Sequence, residues 1–428
     1  MSKSPSRSVP KILLVAEHAS AKFGGEALIP FQYFKNLREV GVDIHLVVHE
    51  RTRAELLEAF SEDRERLHFV ADSALNIWCC RAGALLPDRI AAFTFGAFSH
   101  LDTQIRQRSL VRSLILKHHF DIVHEPIPVS PKLPSVLFGL STPVIIGPMN
   151  GGMDYPQYYR AGRGFEQCII AFLRTTAAVL NVILPGKRRA SLLLVANRRT
   201  FDALPTKLKS KRIIELVENG VDTNLFQPLK RMPKTNDIFR LVHISRLVDF
   251  KRVDLLLDAC ARLKGEVNFR VDLVGDGPLR KSLEQQAQRL CLNKHVHFHG
   301  RRTHAEAAAL LQTADSLVLT SMLECGGAVV LEAMACGIPV IATKWGGPTD
   351  YVIPETGILV PPATPEQFVE ELAKAMAWMA RNPQARGQMG EAGRRRAETL
   401  YDWRGKSQAL LKIYEEVLML ARQPPRAL

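Results

Sequence analysis

Residues 324–348 read ECGGAVVLEAMACGIPVIATKWGGP, and this stretch decides the fold of the second half of the chain. Two glycines, Gly326 and Gly327, stand before a short apolar run, which ends at Gly337 and Pro339. The pattern predicts a loop, a helix, a turn, a buried strand and another loop. This alternation is typical of a βα unit in a parallel sheet.

The same stretch predicts an anion site flanked by two carboxylates. A helix N-terminus preceded by glycines presents free backbone N–H groups and the positive end of the helix dipole to a ligand. Glu324 precedes the predicted helix, and Glu332 lies about two turns inside it. A ligand with both phosphate and hydroxyl groups suits this arrangement, and a nucleotide sugar is such a molecule.

Length and composition indicate a globular protein of two domains. The chain of 428 residues is longer than a domain with one ordinary hydrophobic core. Its 46% hydrophobic and 23% charged residues are a normal composition for a globular protein. A net charge of +14 indicates an anionic partner, or it serves solubility alone. We expect no nucleic-acid partner, because the sequence has no helix-turn-helix, zinc-finger or aromatic RNA-binding pattern.

The cysteines and the N-terminal residues predict a cytoplasmic protein. The seven cysteines are odd in number and none is in a CxxC pair, which argues against disulfides and a zinc site. The first ten residues have no apolar core of a signal peptide.

The first half of the chain opens with a strand, a loop, a helix and a second strand. Residues 11–16 are a short apolar run, residues 28–40 have a helical pattern, and residues 42–48 form the next strand. The first loop carries Gly24 and Gly25, either for close approach to a ligand or as a flexible connection. The pattern favours a doubly wound α/β domain, although GxGxxG is absent.

Two later strands of this half lead into candidate site residues. One strand ends at His124, and the next, residues 143–146, precedes a glycine-rich loop with Asn150, Gly151 and Asp154. Ligands bind at the carboxyl ends of strands in open parallel sheets. A lone histidine at a strand end is more often structural.

Residues 168–186, CIIAFLRTTAAVLNVILPG, are strongly apolar. The run is marginal for a membrane span and contains Arg174, and basic residues flank it. A helix lying on an anionic membrane surface fits this pattern, and so does a buried helix. We favour the membrane surface.

A second βα domain begins near residue 239. Arg246 and Lys251 lie in the loop after its first strand, and Gly275 opens a tight turn after the next. Lysine offers a point charge and arginine a forked donor, so the two cations are suited to a diphosphate. His295, His297 and His299 alternate along a strand, but without an acid or cysteine at a recognised spacing they predict no metal site.

The ordered motifs resemble the family 4 (group 1) retaining glycosyltransferases of GT-B fold. In the second half these are residues 219–222 (NGVD), 245–251 (SRLVDFK), 274–278 (VGDGP) and the acid pair of 324–340. The first half resembles the family more loosely, through Gly24-Gly25, His124-Glu125-Pro126 and residues 147–152.

The resemblance implies two Rossmann-like, doubly wound domains that face a cleft. Residues 1–218 are expected on the acceptor side, residues 219–400 are expected to bind the nucleotide sugar, and residues 401–428 to form a helix that crosses back to the first domain. Activity without a metal or other cofactor is implied as well.

The resemblance also assigns roles to residues. Arg246 and Lys251 would hold the diphosphate, Glu332 the ribose and Glu324 the sugar, and His124 would face the reacting sugar. The donor set also includes the following backbone positions: Gly24, Gly25, Gly275, Gly326, Gly327, Ala328 and Val329. Asn150, Gly151 and Asp154 would lie on the acceptor side.

One departure concerns the sugar pocket, because Gly326 stands where the family usually has an aromatic residue. The implied reaction is transfer with retention, which we expect by a front-face route, to a lipid-linked or saccharide acceptor in surface polysaccharide or glycolipid synthesis. Attachment to the inner face of the cell membrane is also expected. The alternatives are another GT-B enzyme, such as a nucleotide-sugar epimerase or a phosphorylase, and a non-catalytic scaffold of a polysaccharide assembly.

Overall fold

A computed structural model describes residues 10–23, 25–83, 95–160, 180–229 and 238–421. These residues divide into two compact units. The first unit comprises the described residues of Met1–Gly152, Cys168–Glu218 and Ser407–Leu428, and the second those of Met153–Gln167 and Asn219–Lys406.

The described residues of the first unit form a seven-stranded parallel sheet. Its strands are β1 (Lys11–Val15), β2 (Asp43–His49), β3 (Leu67–Val70), β4 (Ile122–Glu125), β5 (Val144–Met149), β6 (Leu192–Val195) and β7 (Ile213–Glu215). They lie in the order β3-β2-β1-β4-β5-β6-β7. The strand order therefore reverses between β1 and β4, and the crevice at such a switch point is where ligands of doubly wound sheets bind.

Helices cover this sheet, and its central strands are apolar on both faces. The helices of the unit include α1 (Leu28–Glu39), α2 (Arg53–Ala59), α3 (Ala74–Gly83), α4 (Ala97–His118), α5 (Gly186–Arg189) and α6 (Arg198–Ala203). Leu13, Ile145 and Leu193 are fully buried. Continuous apolar runs are typical of parallel strands with helices on both sides.

The second unit repeats this architecture with a six-stranded parallel sheet. Its strands are β8 (Phe239–Ile244), β9 (Phe269–Val274), β10 (Val296–Gly300), β11 (Ser316–Leu319), β12 (Val340–Thr343) and β13 (Gly357–Val360). Their order is β10-β9-β8-β11-β12-β13, so the switch point lies between β8 and β11.

The helices of the second unit follow its strands along the chain. They include α7 (Val253–Leu263), α8 (Arg280–Arg289), α9 (His304–Thr313), α10 (Ala328–Ala335), α11 (Pro348–Tyr351), α12 (Pro365–Arg381) and α13 (Pro383–Arg396). The last helix, α14 (Trp403–Ala421), begins in the second unit, and its residues from Ser407 onward belong to the first.

The predicted doubly wound α/β class is confirmed, and several element bounds differ from the prediction. Strand β5, predicted at residues 143–146, runs from Val144 to Met149. Helix α4 begins at Ala97 and carries the exposed Phe98 and Ile105, which interrupt its amphipathic pattern. Helix α3 lies in a stretch that the sequence left without a clear pattern.

The predicted membrane-surface segment, residues 168–186, falls mostly outside the described residues. Among the helices that are described, none is both long enough and apolar enough to span a bilayer.

Candidate active site

The loop after β8 carries the predicted cations. Lys251 contacts the carboxylate of Glu324, and the two side chains are 13% and 15% exposed. Arg246 is exposed, its guanidinium carbon lies 6.0 Å from the centre of the Phe250 ring, and it forms no ion pair with another described residue. The structure therefore brings Lys251 to Glu324 and leaves the charge of Arg246 available for an anion.

The loop after β11 places Glu324 in front of helix α10. Gly327 precedes the helix in the left-handed conformation, with φ of 80°, and has no side chain to cap the first N–H groups. The helix therefore begins with donors that no side chain caps, next to a carboxylate that is paired with a lysine. Ala328 and Val329, both predicted donor contacts, form the first turn of this helix.

The loop after β12 supports the Glu324 loop through glycine backbones. The N–H group of Gly347 donates to the carbonyl of Glu324 at 2.7 Å. A Cβ atom on Gly347 would lie 2.1 Å from the carbonyl oxygen of Gly326, and one on Gly346 would lie 2.4 Å from the carbonyl oxygen of Glu324. Only residues without a side chain allow the two loops to approach this closely.

Gly275, in the turn after β9, packs against the loop after β8 that carries Arg246 and Lys251. Its φ is 132°, and a Cβ atom at this position would lie 1.8 Å from the carbonyl oxygen of Ser245. Its N–H group donates to the carbonyl of Gly300 at 2.8 Å. The glycine is thus needed to seat the loop that carries Arg246, whereas its own contact with a donor stays a prediction.

His243 is a supporting residue that the sequence reasoning missed. It is fully buried, its Nδ1–H group donates to the carbonyl of Val318 at 2.9 Å, and its Nε2 atom accepts from the hydroxyl of Ser245 at 2.7 Å. Burial lowers its pKa to about 4, so the ring is neutral and links β8 to β11. A polar residue within an otherwise apolar central strand is the signal that identifies it.

Glu332 lies on helix α10, about one turn after Ala328, and its carboxyl group is shielded from solvent. Desolvation raises its pKa to about 7. No hydrogen-bond partner of its carboxylate is found among the residues that the structure describes. Such a carboxylate is available to accept hydrogen bonds from the hydroxyl groups of a ligand.

Residues 153–160 form a short strap on the second unit, which the sequence did not reveal. The indole N–H of Trp345, in the loop after β12, donates to the carbonyl of Asp154 at 2.8 Å. The guanidinium of Arg252, next to Lys251, lies 5.0 Å from the centre of the Tyr159 ring. The strap thus contacts the loops that position Glu324 and Lys251. Asp154, predicted on the acceptor side, is part of this strap.

Arg252 adds a local constraint beside Lys251. It has a left-handed backbone with φ of 48°, and its guanidinium forms paired hydrogen bonds with the carboxylate of Asp254 at 2.7 and 2.9 Å. A left-handed arginine persists only when its surroundings hold it. The Asp254 carboxylate and the Tyr159 ring provide those surroundings.

His124 does not occupy the position that the resemblance implied. It is fully buried, its Nε2–H group donates to the carbonyl of Gly147 at 2.5 Å, and its Nδ1 atom accepts from the hydroxyl of Tyr414 at 2.7 Å. Burial lowers its pKa to about 4. With both nitrogens engaged inside the first unit, the ring connects β4 to β5 and α14, and this geometry argues against contact with a reacting sugar.

Asn150 and Gly151 are likewise structural in this arrangement. Asn150 is buried and donates to the carboxylate of Glu218 at 2.5 Å, and the N–H group of Gly151 donates to the hydroxyl of Thr200 at 3.0 Å. These polar groups of the loop after β5 thus form hydrogen bonds with Glu218 and Thr200, which fix the loop to the rest of the first unit. The predicted acceptor-side trio is therefore divided, because Asn150 and Gly151 belong to the first unit and Asp154 to the second.

Only one glycine of the Gly24-Gly25 pair in the first loop lies among the described residues. Gly24 lies outside the described residues. Gly25 is exposed with φ of 56°, and a Cβ atom there would meet nothing within 4 Å. Its contact with a donor stays a prediction.

The alternating histidines of β10 have separate structural partners. His295 stacks on Phe269 with ring centres 4.6 Å apart, and His299 bonds to the carboxylate of Asp272 at 2.6 Å. Across the described ranges, no group of three or more potential side-chain ligands is arranged to hold a metal ion.

Comparisons with known proteins match the second unit most closely. Residues 229–396 match the family model of the glycosyl transferases group 1. The MMP alpha-(1->4)-mannosyltransferase of Mycolicibacterium hassiacum is 30% identical over 234 residues, which are 53% of this chain and 54% of the relative. The glycogen synthase of Mycobacterium tuberculosis is 30% identical over 213 residues, 49% of this chain and 50% of the relative. This chain thus spans about half the length of the curated relatives it matches.

Solved structures match nearly the whole chain. The sucrose-phosphate synthase of Thermosynechococcus elongatus has a TM-score of 0.66 at 19% identity, covering 96% of this chain and 100% of that one. Anabaena HepE, solved in complex with UDP and glucose, has a TM-score of 0.62 at 20% identity, covering 95% and 100%. At these identities the likeness shows the fold, which is that of the GT-B glycosyltransferases.

Proposed function

We propose that the chain belongs to the glycosyl transferases group 1, whose family model matches residues 229–396, and that it transfers a sugar from a nucleotide-sugar donor to an acceptor hydroxyl. The observation that carries the proposal is the contact between Lys251 and Glu324 at the start of helix α10, with Arg246 in the same loop as the lysine. The switch point between β8 and β11 therefore gathers two cations, a carboxylate and a helix N-terminus.

This arrangement suits a diphosphate leaving group. As the bond between the anomeric carbon and the phosphate oxygen breaks, negative charge grows on the phosphate. Lys251 and Arg246 stabilise that charge, and the N–H groups of Ala328 and Val329 add the positive end of the helix dipole. Because charge develops in the transition state, these contacts lower the barrier rather than only tighten binding.

The two acids have separate roles in the proposal. Glu332 accepts hydrogen bonds from the ribose hydroxyls, which its unpartnered carboxylate supports. Glu324 contacts the transferred sugar, and Lys251 holds this carboxylate in place before the donor binds. Arg246 and Lys251 supply the positive charge that a metal ion supplies in many phosphate sites, so we expect activity without a metal.

The resemblance to the retaining family supports transfer with retention by a front-face route. The acceptor hydroxyl then attacks the face that the nucleotide leaves, and a phosphate oxygen of the leaving group accepts the hydroxyl proton. This step uses no side-chain base, so the structural role of His124 does not conflict with it.

A lipid-linked or saccharide acceptor, in surface polysaccharide or glycolipid synthesis, remains part of the proposal. The net charge of +14 supports attachment to the inner face of an anionic membrane. Two exposed apolar residues before α5, Val182 at 50% and Ile183 at 64%, support it as well. Binding to anionic liposomes at low salt that weakens at high salt is expected, and no binding at low salt would contradict the membrane proposal.

Product analysis tests the function. The full chain is incubated with UDP-, GDP-, ADP- and dTDP-sugars and a panel of saccharide and lipid-linked acceptors, and products are analysed by mass spectrometry and NMR. A new glycosidic bond with the anomeric configuration of the donor is expected. An epimerised donor or a sugar phosphate would favour the other GT-B enzymes, and a chain that binds no nucleotide sugar would favour the scaffold.

A further inference from the structure

A group of polar side chains lies at the other switch point, between β1 and β4 of the first unit. Glu17 follows β1, Glu125 ends β4, and His100 comes from α4 and contacts the carboxylate of Glu17. His18 lies 3.3 Å from the other oxygen of Glu17. None of these side chains has a place in the proposed donor chemistry.

Several atoms of this group are buried without a hydrogen-bond partner among the described residues. Glu125, 4% exposed, bonds to Ser135 and leaves its Oε2 atom unpartnered. Gln104, 3% exposed, leaves both its Nε2 and its Oε1 atom unpartnered. The Nδ1 atom of His18 and the Nε2 atom of His100 are also buried without a hydrogen-bond partner among the described residues. Buried polar atoms are rarely left unpaired, because each loses its hydrogen bonds to water on folding without a replacement.

Gln104 belongs to this group because of its place on α4. It lies one turn after His100, which contacts Glu17, and one turn before Gln107, whose amide donates to the carbonyl of Ala16 at 2.6 Å. This buried face of α4 therefore lies against the end of β1. The neighbouring Gln107 has its partner there, whereas the amide of Gln104 does not.

We propose that this switch point binds the uncharged, hydroxyl-rich part of the acceptor, with Gln104 and Glu125 as specificity-determining contacts. That the ligand is the acceptor rests on the proposed function. The unpartnered amide of Gln104 offers one donor and one acceptor side by side, and Glu125 offers an acceptor. Hydroxyl groups, which donate and accept at once, satisfy such a mixed set.

The charges of the group favour a neutral ligand over a phosphate. Three carboxylates, Glu17, Glu26 and Glu125, act on the imidazole of His100. The amine of Lys187 also acts on Glu125, but it is 1% exposed and donates to the carbonyl of Ser130 at 2.8 Å. With its cations engaged in this way, the group has no free positive charge for a phosphate.

The test uses neutral and charged probes on the full chain. Saturation-transfer NMR is recorded with methyl α-D-glucopyranoside, methyl α-D-mannopyranoside, methyl N-acetyl-β-D-glucosaminide and myo-inositol, and with glycerol 3-phosphate as the charged probe. At least one neutral probe is expected to bind. Gln104→Leu, which keeps the size of the side chain, and Glu125→Gln are each expected to weaken that binding at least fivefold.

Stability distinguishes this role from ordinary packing. Gln104→Leu removes two unpaired polar atoms and is expected to raise the Tm of the free protein, although it weakens probe binding. Gln107→Leu, the matched control on the same helix face, removes a satisfied hydrogen bond and is expected to lower the Tm. A purely structural glutamine at position 104 would lower the Tm in the same way.

The outcomes separate this inference from the proposed function. Equal probe binding by the wild type and Gln104→Leu, binding of glycerol 3-phosphate alone, or binding of no neutral probe would overturn the inference. Nucleotide-sugar binding is measured on the same wild-type protein by calorimetry. If nucleotide sugars bind and the neutral probes do not, the inference fails while the proposed function stands; if no nucleotide sugar binds, the proposed function fails instead.

Discussion

The contact between Lys251 and Glu324 is the residue-scale centre of the candidate site. Both side chains are mostly buried, at 13% and 15% exposure, so each limits the cost of burying the other. In the free protein the lysine neutralises the acid. A diphosphate that enters beside Lys251 and Arg246 meets charge that the fold has already positioned, and catalysis gains most from such preorganised charge.

Removing either cation is predicted to disable transfer. Lys251→Ala and Arg246→Ala should each lower kcat/KM by about 100-fold or more, because each removes charge opposite the leaving group. Steady-state assays on variants with a normal thermal unfolding profile check this. Lys281→Ala, an exposed lysine of α8, is the control and should retain full activity. Near-normal turnover by a folded Lys251→Ala protein would contradict the assignment.

Glu332 predicts a pH dependence of donor binding. Its pKa is raised to about 7, so the acid is largely protonated at pH 6 and ionised at pH 8. An ionised carboxylate accepts two hydrogen bonds from a ribose, so calorimetric affinity for the donor nucleotide sugar should rise from pH 6 to 8. Glu332→Gln should bind about 10-fold more weakly at pH 8, with a flat pH profile. An unchanged profile would exclude this carboxylate from the donor site.

The raised pKa of Glu332 also predicts that the stability of the protein changes with pH. A carboxyl group whose folded pKa lies above its unfolded value stabilises the protein at low pH, and this contribution is lost as pH rises from about 4.5 through 7. Glu332→Gln carries no charge to bury. Its Tm relative to the wild type should therefore rise between pH 5 and pH 8. A difference in Tm that is constant with pH would show that the acid is not desolvated.

At the scale of elements, glycine contacts between loops build the site. The loop after β12 supports the loop after β11, and the turn after β9 supports the loop after β8. Both supports rely on backbone atoms where a Cβ atom would overlap a carbonyl oxygen, at Gly347 and at Gly275. The positions of Lys251 and Glu324 thus depend on neighbouring loops as well as on their own.

Gly347→Ala tests this support. Its Cβ atom would lie 2.1 Å from the carbonyl oxygen of Gly326, so the Glu324 loop must shift, and donor binding should weaken at least 10-fold. Gly387→Ala is the matched control, because it lies within α13 with nothing within 4 Å of its Cβ position. That control should keep donor affinity and gain about 0.5–1 kcal/mol of stability. Equal affinity of both variants would contradict the account.

The strap of residues 153–160 gives a second prediction at this scale. Trp345→Phe keeps an aromatic ring, although a smaller one, and removes the indole N–H group that donates to the carbonyl of Asp154. The loss of about 1 kcal/mol corresponds to about a fivefold rise in KM for the donor. Trp378→Phe, a 40% exposed tryptophan of α12, should leave KM unchanged. If both variants keep the wild-type KM, the strap does not position the site.

The helices and strands with strong periodicity could be predicted from the sequence. The predicted strands at residues 11–16 and 42–48 and the predicted helix at residues 28–40 correspond to β1, β2 and α1 within one residue at each end. Strand β7 and helix α3 were missed. Their segments lack a distinctive pattern, and it is tertiary contact that gives them their structure.

At the scale of the whole molecule, the chain builds two doubly wound units, each with its own sheet and switch point. In the second unit, glycines, cations and acids occur in a specific order, so the sequence could predict a donor site there, and the structure brings Lys251 and Glu324 of that predicted site into contact. The sequence could not show that His124, Asn150 and Gly151 are buried and paired, because burial depends on distant partners such as Tyr414 and Glu218. For the same reason it did not single out Gln104, and it named Glu125 only as part of a motif, without a role.

The proposed donor site is tested by the thermal shift of the full chain with UDP-, GDP-, ADP- and dTDP-sugars, because a ligand that binds the native state raises its Tm. At least one nucleotide sugar should raise the Tm of the wild type, and the rise should be lost in the Arg246→Ala/Lys251→Ala double variant. No rise with any donor, or the same rise in the double variant, would contradict the proposed site.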